Sequence, residues 1–366
     1  MSRRPRPKQD RGRSRVGETF EAVVGPVAHG GHCVVRLPEP ESRVVFVRHA
    51  VPGERVTLVI TEGTEGDKFW RADAVEVLEA SPDRVPAPCR FAGPDACGGC
   101  DFQHVSLERQ RLMKADVVRE QLSRLARLDV AVTVEAVPGD DRGLRWRTRQ
   151  RYVSLPGGRH GMRKHRSHDV IPVDDCLIAG ASPSYVVRDV VFEVASDGFW
   201  QVHPGAPEAL VGAVLDALDP RPGESVLDLY AGVGLFGRFL ADVVGPGLVN
   251  LVEGDDAACE HAQRNVPSAD VLVGDVGAVL SALTPDHVDL VVLDPPRTGA
   301  KRAVVEEIVA RTPRAVAYVA CDPAALARDV ATFAEHGYAL TGLRAFDLFP
   351  MTHHVECVAL LSSIPS

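Results

Sequence analysis

The stretch SVLDLYAGVGLFG, residues 225–237, carries the reading that decides the fold. An apolar run short enough for a buried strand passes directly into Gly232, Gly234 and Gly237, a G-x-G-x-x-G loop that opens a helix. Such a loop sits at the carboxyl end of a strand, where missing side chains let a ligand approach the backbone at a helix N-terminus. Glu253 closes the next apolar run, about 20 residues on, where a carboxylate can accept both ribose hydroxyl protons. NAD and S-adenosylmethionine both satisfy this pattern. Asp228, inside the strand, weighs toward the second, because an acid there repels a pyrophosphate and attracts a cationic methionine moiety. The bland alternative is a glycine turn kept for helix-to-sheet packing.

Outward from this loop, apolar runs recur with helical stretches between them: GLVNLVE, ADVLVGD, VDLVVLDPP, AVAYVACDP and HVECVALL. The alternation predicts a largely parallel, doubly wound α/β domain over residues 196–366. Open sheets of this kind place ligands at the carboxyl ends of their strands. Cys321 follows AVAYVA, Asp294-Pro295-Pro296-Arg297 closes another strand the same way, and Glu356 lies in FPMTHHVEC. A lone cysteine is more often packing than a nucleophile, as Cys33, Cys259 and Cys357 are expected to be. Cys321 stands apart because of the groups that converge with it.

Toward the N-terminus, short β-branched runs punctuated by Gly30-Gly31, Pro52-Gly53 and Gly63 predict a small β-barrel over 16–79. A central domain is expected over 80–195. It holds Cys89, Cys97 and Cys100, and Cys176 is the natural fourth ligand. Four thiolates suit a zinc tetrahedron or a cubane iron–sulfur cluster, and one C-x-x-C with a distant single Cys is unlike the usual paired zinc knuckles. No uncharged apolar run is long enough to span a bilayer and no signal core follows the Arg-rich start, so the chain is expected to be soluble and cytoplasmic, with no membrane partner. A monomer is expected as well.

The formal net charge of −9 argues on its face against a nucleic-acid partner. Its distribution changes that inference. Residues 1–15, expected to be a disordered basic arm, hold seven Arg or Lys against Asp10 alone, and residues 142–168 hold nine with no acid. Either run alone reads equally well as a solvated face. Trp146 and Tyr152, interleaved with the second, favour a cationic groove with stacking side chains, which suits single-stranded RNA.

Five motifs, DLYAGVGLFG, LDPPRTGA, ACDPAALARD, FPMTHHVE and FWQVHPG, together resemble the RNA uracil-5 methyltransferases. GETFEAVVGPVAHGGH and FVRHAVPGE resemble the TRAM RNA-binding module of the same family. The resemblance implies a Rossmann-like class I methyltransferase domain behind a TRAM, OB-like barrel. It implies S-adenosylmethionine held by Gln201, Tyr230, Glu253 and Asp294 with the glycine loop. Asp275 is an adenine-side candidate from methyltransferases generally. It implies a [4Fe-4S] cluster on the four cysteines, which would fix the central domain, and RNA as partner, with 23S rRNA favoured over tRNA.

The chemistry gives these residues their roles. Uracil C5 is too weak a nucleophile to attack a methyl sulfonium, so a thiolate must first add to C6 and push electron density onto C5. Cys321 is the expected nucleophile. The resemblance makes Glu356 the base that removes the C5 proton after methylation. A recessed cysteine also requires the target base to leave its stack. This sequence departs from the family at His203, Val233, Leu235 and Asp322. The departures at His203 and Asp322 motivate a rival reading, a catalytically silent RNA-binding or chaperone protein on a methyltransferase shell. An NAD oxidoreductase is a third reading, but it leaves Cys321 and Glu356 without a purpose.

Overall fold

The computed structural model describes residues 12–283 and 286–364. They form two compact units that do not follow the chain in simple order. One is the described part of Met1–Arg109 with Tyr152–Cys176 and Met351–His353. The other is Gln110–Arg151, Leu177–Pro350 and the described part of His354–Ser366.

The first unit begins with strands β1 (Thr19–Val23), β2 (Val27–Ala28), β3 (His32–Arg36), β4 (Val44–Arg48), β5 (Arg55–Glu62) and β6 (Phe69–Glu79), in the order β1-β5-β6-β4-β3-β2. Alternation decides which face is inside: Val56, Leu58 and Ile60 are buried on β5, and Trp70, Ala72 and Ala74 on β6. The stretch from β1 to β2 pairs with β5 in its first half and with β3 in its second, which curls the sheet into a barrel. Gly25 sits where that strand crosses, and a Cβ there would stand 2.6 Å from the Val34 carbonyl oxygen. Residues 12–15 belong to this barrel. Ser14 bridges Thr64, and Arg15 donates its backbone N–H to Gly63. The rest of the expected basic arm, residues 1–11, lies outside the described residues.

Beyond the barrel the chain makes α1 (Leu107–Gln121), a π-helical turn and β7 (Val134–Ala136). It then returns to the first unit for a small antiparallel sheet of β8 (Val153–Leu155), β9 (Arg159–Arg163) and β10 (Val170–Pro172). The segment 80–195, expected as a separate central domain, is therefore shared out between the two units. Nothing in local periodicity signals a chain that leaves one core and comes back to it.

The second unit continues with a short hairpin, β11 (Val186–Val187) and β12 (Val190–Val191), and α2 (Ala206–Leu218). Next come β13 (Val226–Leu229), α3 (Leu235–Val244), β14 (Val249–Glu253), α4 (Asp256–Asn265), β15 (Asp270–Val273) and α5 (Val276–Ala282). The remainder is β16 (Leu290–Leu293), α6 (Lys301–Ala310), β17 (Ala315–Ala320), α7 (Pro323–Glu335), β18 (Tyr338–Asp347) and β19 (Glu356–Ser363). The sheet order is β15-β14-β13-β16-β17-β19-β18-β7. Five parallel strands, β15 to β17, are closed by β19, which runs antiparallel to both β17 and β18. Strands β13, β16 and β17 are buried at every residue, as strands covered on both faces must be. Apolar side chains of α2, α3 and α4 pack on one face, and those of α1, α5, α6 and α7 on the other. The order reverses beside β13, so the ligand crevice of such a sheet opens at its carboxyl end, where the glycine loop begins.

One expectation about residues 142–168 changes. Trp146 is fully buried, with its ring against His203 and Phe349, so it belongs to the core and cannot stack on a base. Tyr152 is 37% exposed, with His160 at 5.2 Å between ring centroids. Among the described residues no helix is long and apolar enough to cross a membrane.

Candidate active site

The glycine loop is built from backbone that only certain residues tolerate. Tyr230, Gly232 and Gly234 have φ of 59°, 57° and 85°, so the chain turns left-handed three times between β13 and α3. At Gly234 an added Cβ would also lie 2.7 Å from Val266. Tyr230 has no such freedom. A bulky residue held there stores strain of the kind found at ligand clamps.

Glu253 at the end of β14 is fixed by three backbone donors: Gly232 N–H at 2.8 Å on one oxygen, Gly254 at 2.7 Å and Asp255 at 2.8 Å on the other. Asp228 is fully buried and accepts the Gly237 N–H at 2.8 Å, while its other oxygen has no hydrogen-bond partner. Burial pushes this carboxyl up to about 8, with the charges of Asp294 and Glu253 adding to the effect. The orphaned oxygen, the fixed carboxylate and the glycine backbone fit a ligand bearing both a ribose and a positive charge, as S-adenosylmethionine does.

A cavity of about 770 Å³ in the second unit opens beside this loop. Its lining brings together Gln201, Tyr230, Gly232, Glu253, Asp294, Cys321 and Glu356, seven of the nine candidate catalytic and cofactor residues. Gly234 does not line it and serves as the N-cap of α3. Asp275 does not line it either. Its carboxylate accepts the Ala278 N–H at 3.0 Å and caps α5.

The reacting end of the cavity is lined by buried acids. Asp294 is pushed up to about 7 by burial. Glu356, 4% exposed at the start of β19, is raised well above the usual carboxylate range by burial and by Asp294, against the pull of Arg297. Burial pushes the Cys321 thiol up to about 12, with Glu356 and Asp294 adding to the rise and Arg297 opposing it. Arg297 lines the cavity and lies 3.2 Å from His354 Nε2. Burial and the neighbouring carboxylates thus both oppose ionisation of the Cys321 thiol, and Arg297 is the cation that favours it.

The departures from the family pattern have local explanations. Asp322 is the N-cap of α7 and accepts the Ala325 N–H at 2.8 Å, a duty Asp and Asn perform equally well. His203 is fully buried, accepts the Gly205 N–H on Nδ1 at 3.2 Å, stacks on Trp146 and does not line the cavity. Val233 is a wall residue and Leu235 a buried helix residue. None of the four takes a place among the reacting groups.

Several lining residues escaped the sequence reading. Phe199, 69% exposed, and Val202 flank Gln201 in FWQVHPG, and Phe349 comes from FPMTHHVE. Both motifs contain them, but an apolar side chain in a motif carries no chemical signal that separates a cavity wall from core packing. Arg147 lines the cavity as well, while Arg149 donates to the carbonyl oxygens of Asp197, at 2.7 Å, and Gly198. Arg145 and Arg151 are exposed. The basic run thus splits into cavity, scaffold and surface arginines.

The cysteine set lies within the first unit. Gly99 N–H points at Cys97 Sγ and Gln103 Nε2 at Cys100 Sγ, both at 3.4 Å. Cys97 feels the charges of Cys176 and Cys89, and Cys100 those of Cys176 and Cys97, so the four sulfurs share one neighbourhood. None of the eight cysteines forms a disulfide. Among the described residues no group of three or more His, Cys, Asp or Glu has the arrangement of a metal site. The donor chemistry suits an iron–sulfur cluster, but the spacing seen is not a coordination sphere.

Three family models match the chain. The TRAM domain covers residues 13–75, the methyltransferase small domain 211–318, and tRNA (uracil-5-)-methyltransferase 281–364. An uncharacterized RNA methyltransferase of Streptomyces coelicolor is 44% identical over 95% of this chain and 93% of its own. The 23S rRNA (uracil(1939)-C(5))-methyltransferase RlmD of Halomonas elongata is 30% identical over 93% of this chain and 89% of its own. Among solved structures, the Pyrococcus abyssi tRNA (uracil-54, C5)-methyltransferase in complex with S-adenosyl-L-homocysteine shares the fold. Its TM-score is 0.63 at 19% identity, over 93% of this chain and all of that one.

Proposed function

Since the chain belongs to the RNA uracil-5 methyltransferase family, we propose that it methylates C5 of a uridine in RNA through a covalent adduct on Cys321. S-adenosylmethionine, when bound against Glu253 and the glycine loop, supplies the methyl group. The observation that carries the reading is that Cys321, Glu356, Asp294 and the ligand-fixing Glu253 all line one cavity.

The flipped uracil enters this cavity past Phe199, whose exposed ring offers it a stacking face. Cys321 gives its proton up to solvent as the base enters, its sulfur bonds to C6, and the C5–C6 π electrons move onto C5 and O4 as an enolate. C5 then takes the methyl group from the sulfonium, and S-adenosylhomocysteine is left as the neutral thioether. C5 now bears both a methyl group and a proton. Glu356, ionised for this step, accepts that proton, the C5–C6 double bond re-forms and the Cys321 thiolate leaves. Arg297 eases both ionisations, since its charge lowers the Cys321 thiol and the Glu356 carboxyl alike. Burial of Glu356 keeps water from taking its place.

Large-subunit ribosomal RNA is the substrate we favour, because one relative aligned over almost the whole chain, at 30% identity, is named as a 23S rRNA enzyme. The thiols of Cys89, Cys97, Cys100 and Cys176 have the donor chemistry of a [4Fe-4S] ligand set, and they are the residues that would hold one, although their spacing in this structure is not that of a coordination sphere. The test of the function is 5-methyluridine mapping in ribosomal and transfer RNA from cells lacking the gene. Loss of one or more sites in 23S rRNA is expected. Unchanged 5-methyluridine in both RNAs would refute the reading, and loss confined to tRNA would move the substrate.

A further inference from the structure

The barrel unit holds a second cavity, of about 310 Å³, that methyl transfer does not use. Arg48, the last residue of β4, lines it while only 7% exposed, and its Nη2 has no hydrogen-bond partner. Nε2 of His32 and Nε2 of His165 are likewise buried without partners, their rings 6.0 Å apart on the same wall. Burial, reinforced by the Arg48 charge, holds both imidazoles down at about 4, so the rings are neutral at physiological pH and each has one N–H to give.

Acids line the cavity too: two are paired, one is exposed and one faces Arg48. Glu62 takes Arg71 at 3.2 Å and Arg166 at 2.7 Å, Asp95 takes Lys164 at 2.8 Å, and Asp169 is exposed. Asp73, in register with Arg48 across the β4–β6 pair, acts on it through space and lies 4.0 Å from His49. A buried guanidinium nitrogen left without an acceptor is costly, and two buried imidazole nitrogens beside it compound the cost. A buried guanidinium and two imidazoles with unpartnered nitrogens, all on residues that line one cavity, suit an oxyanion.

We propose that this cavity is a phosphate-binding site in which Arg48, His32 and His165 donate to the phosphate oxygens. A phosphodiester of bound RNA and a free phosphate share this chemistry. The proposal is independent of the methyl-transfer reading, and its test reads binding alone.

Calorimetric titration of inorganic phosphate and of a short single-stranded oligoribonucleotide into the full chain, Arg48→Met, Arg48→Lys and His165→Phe provides the test. Arg48→Met is expected to weaken both ligands at least tenfold. For the oligoribonucleotide, the slope of log K against log salt should fall by about 0.7, the value of one contact on a single strand. Arg48→Lys should restore part of the loss, and His165→Phe should weaken both ligands severalfold. If phosphate binding falls while oligoribonucleotide affinity and salt slope stay unchanged, the site stands and takes a free phosphate. Equal phosphate binding in the wild type and His165→Phe, together with equal binding in any Arg48 variant that retains the wild-type melting temperature, would overturn the proposal. So would crystals soaked in tungstate that show no anomalous density between Arg48 and His165.

Discussion

Replacing Glu356 by Gln isolates one step of the proposed cycle. The amide keeps the shape of the side chain and cannot accept the C5 proton. Loss of a general base costs about a hundredfold to ten-thousandfold in rate. At 4% exposure Glu356 leaves no room for water to substitute, so the upper half of that range applies. The expected loss is about a thousandfold or more, roughly 4 kcal/mol on the barrier. The earlier steps should survive. The Glu356 charge is one of the causes that raise the Cys321 thiol, so its removal makes the thiolate easier to form. Enzyme, S-adenosylmethionine and end-labelled substrate RNA should therefore accumulate a methylated adduct that survives denaturing gel electrophoresis, while release of 5-methyluridine nearly stops. An E356Q enzyme that turns over within tenfold of wild type and traps no RNA would refute the assignment.

Other perturbations follow from the same structure. The folded-state pKa of Asp228 is raised to about 8, so its contribution to stability is fully present below about pH 4 and is lost as pH rises through 8. Asp228→Asn should accordingly gain in melting temperature relative to wild type between pH 5 and 8.5, and a constant difference would contradict the burial argument. Lys114 and Asp347 form a buried ion pair at 2.5 Å, so Lys114→Met should cost about 3–5 kcal/mol in denaturant unfolding while the K114M/D347L double variant recovers most of it. Asp322→Asn should leave turnover and unfolding free energy nearly unchanged, whereas Asp322→Ala should lose about 1 kcal/mol with the α7 cap. Tyr152→Ala should weaken single-stranded RNA binding by about 1–3 kcal/mol with little change in melting temperature. Trp146→Ala should instead destabilise the fold by about 3–5 kcal/mol.

What was legible in the sequence was local and chemical. The strand, the glycine turn and Glu253 report their own geometry, because the backbone demands glycine and the strand end fixes where the carboxylate stands. Cys321, Asp294 and Glu356 could be gathered because each closes or opens a strand at the same edge of one sheet. What stayed hidden depends on contacts between distant segments. Trp146 amid arginines looked like a stacking residue, yet His203 and Phe349, 57 and 203 positions away in the chain, enclose it. Asp275 had the right place after a strand to meet an adenine, but a helix N-terminus claims its carboxylate. The partition of 80–195 between two cores left no mark on periodicity at all. The lone guanidinium of Arg48 was invisible for the same reason, since FVRHA reads as a strand end whether or not its arginine finds a partner.

The central claim is that Cys321 bonds covalently to the target base inside this cavity. RNA carrying 5-fluorouridine at the target tests it most directly, because fluorine at C5 cannot leave as a proton and the adduct is trapped after methylation. Mass spectrometry of the digested complex should find the methylated fluorouridine on the peptide containing Cys321, and only when S-adenosylmethionine is supplied. A cross-link on another cysteine, or none with an enzyme that still methylates ordinary RNA, would contradict the account.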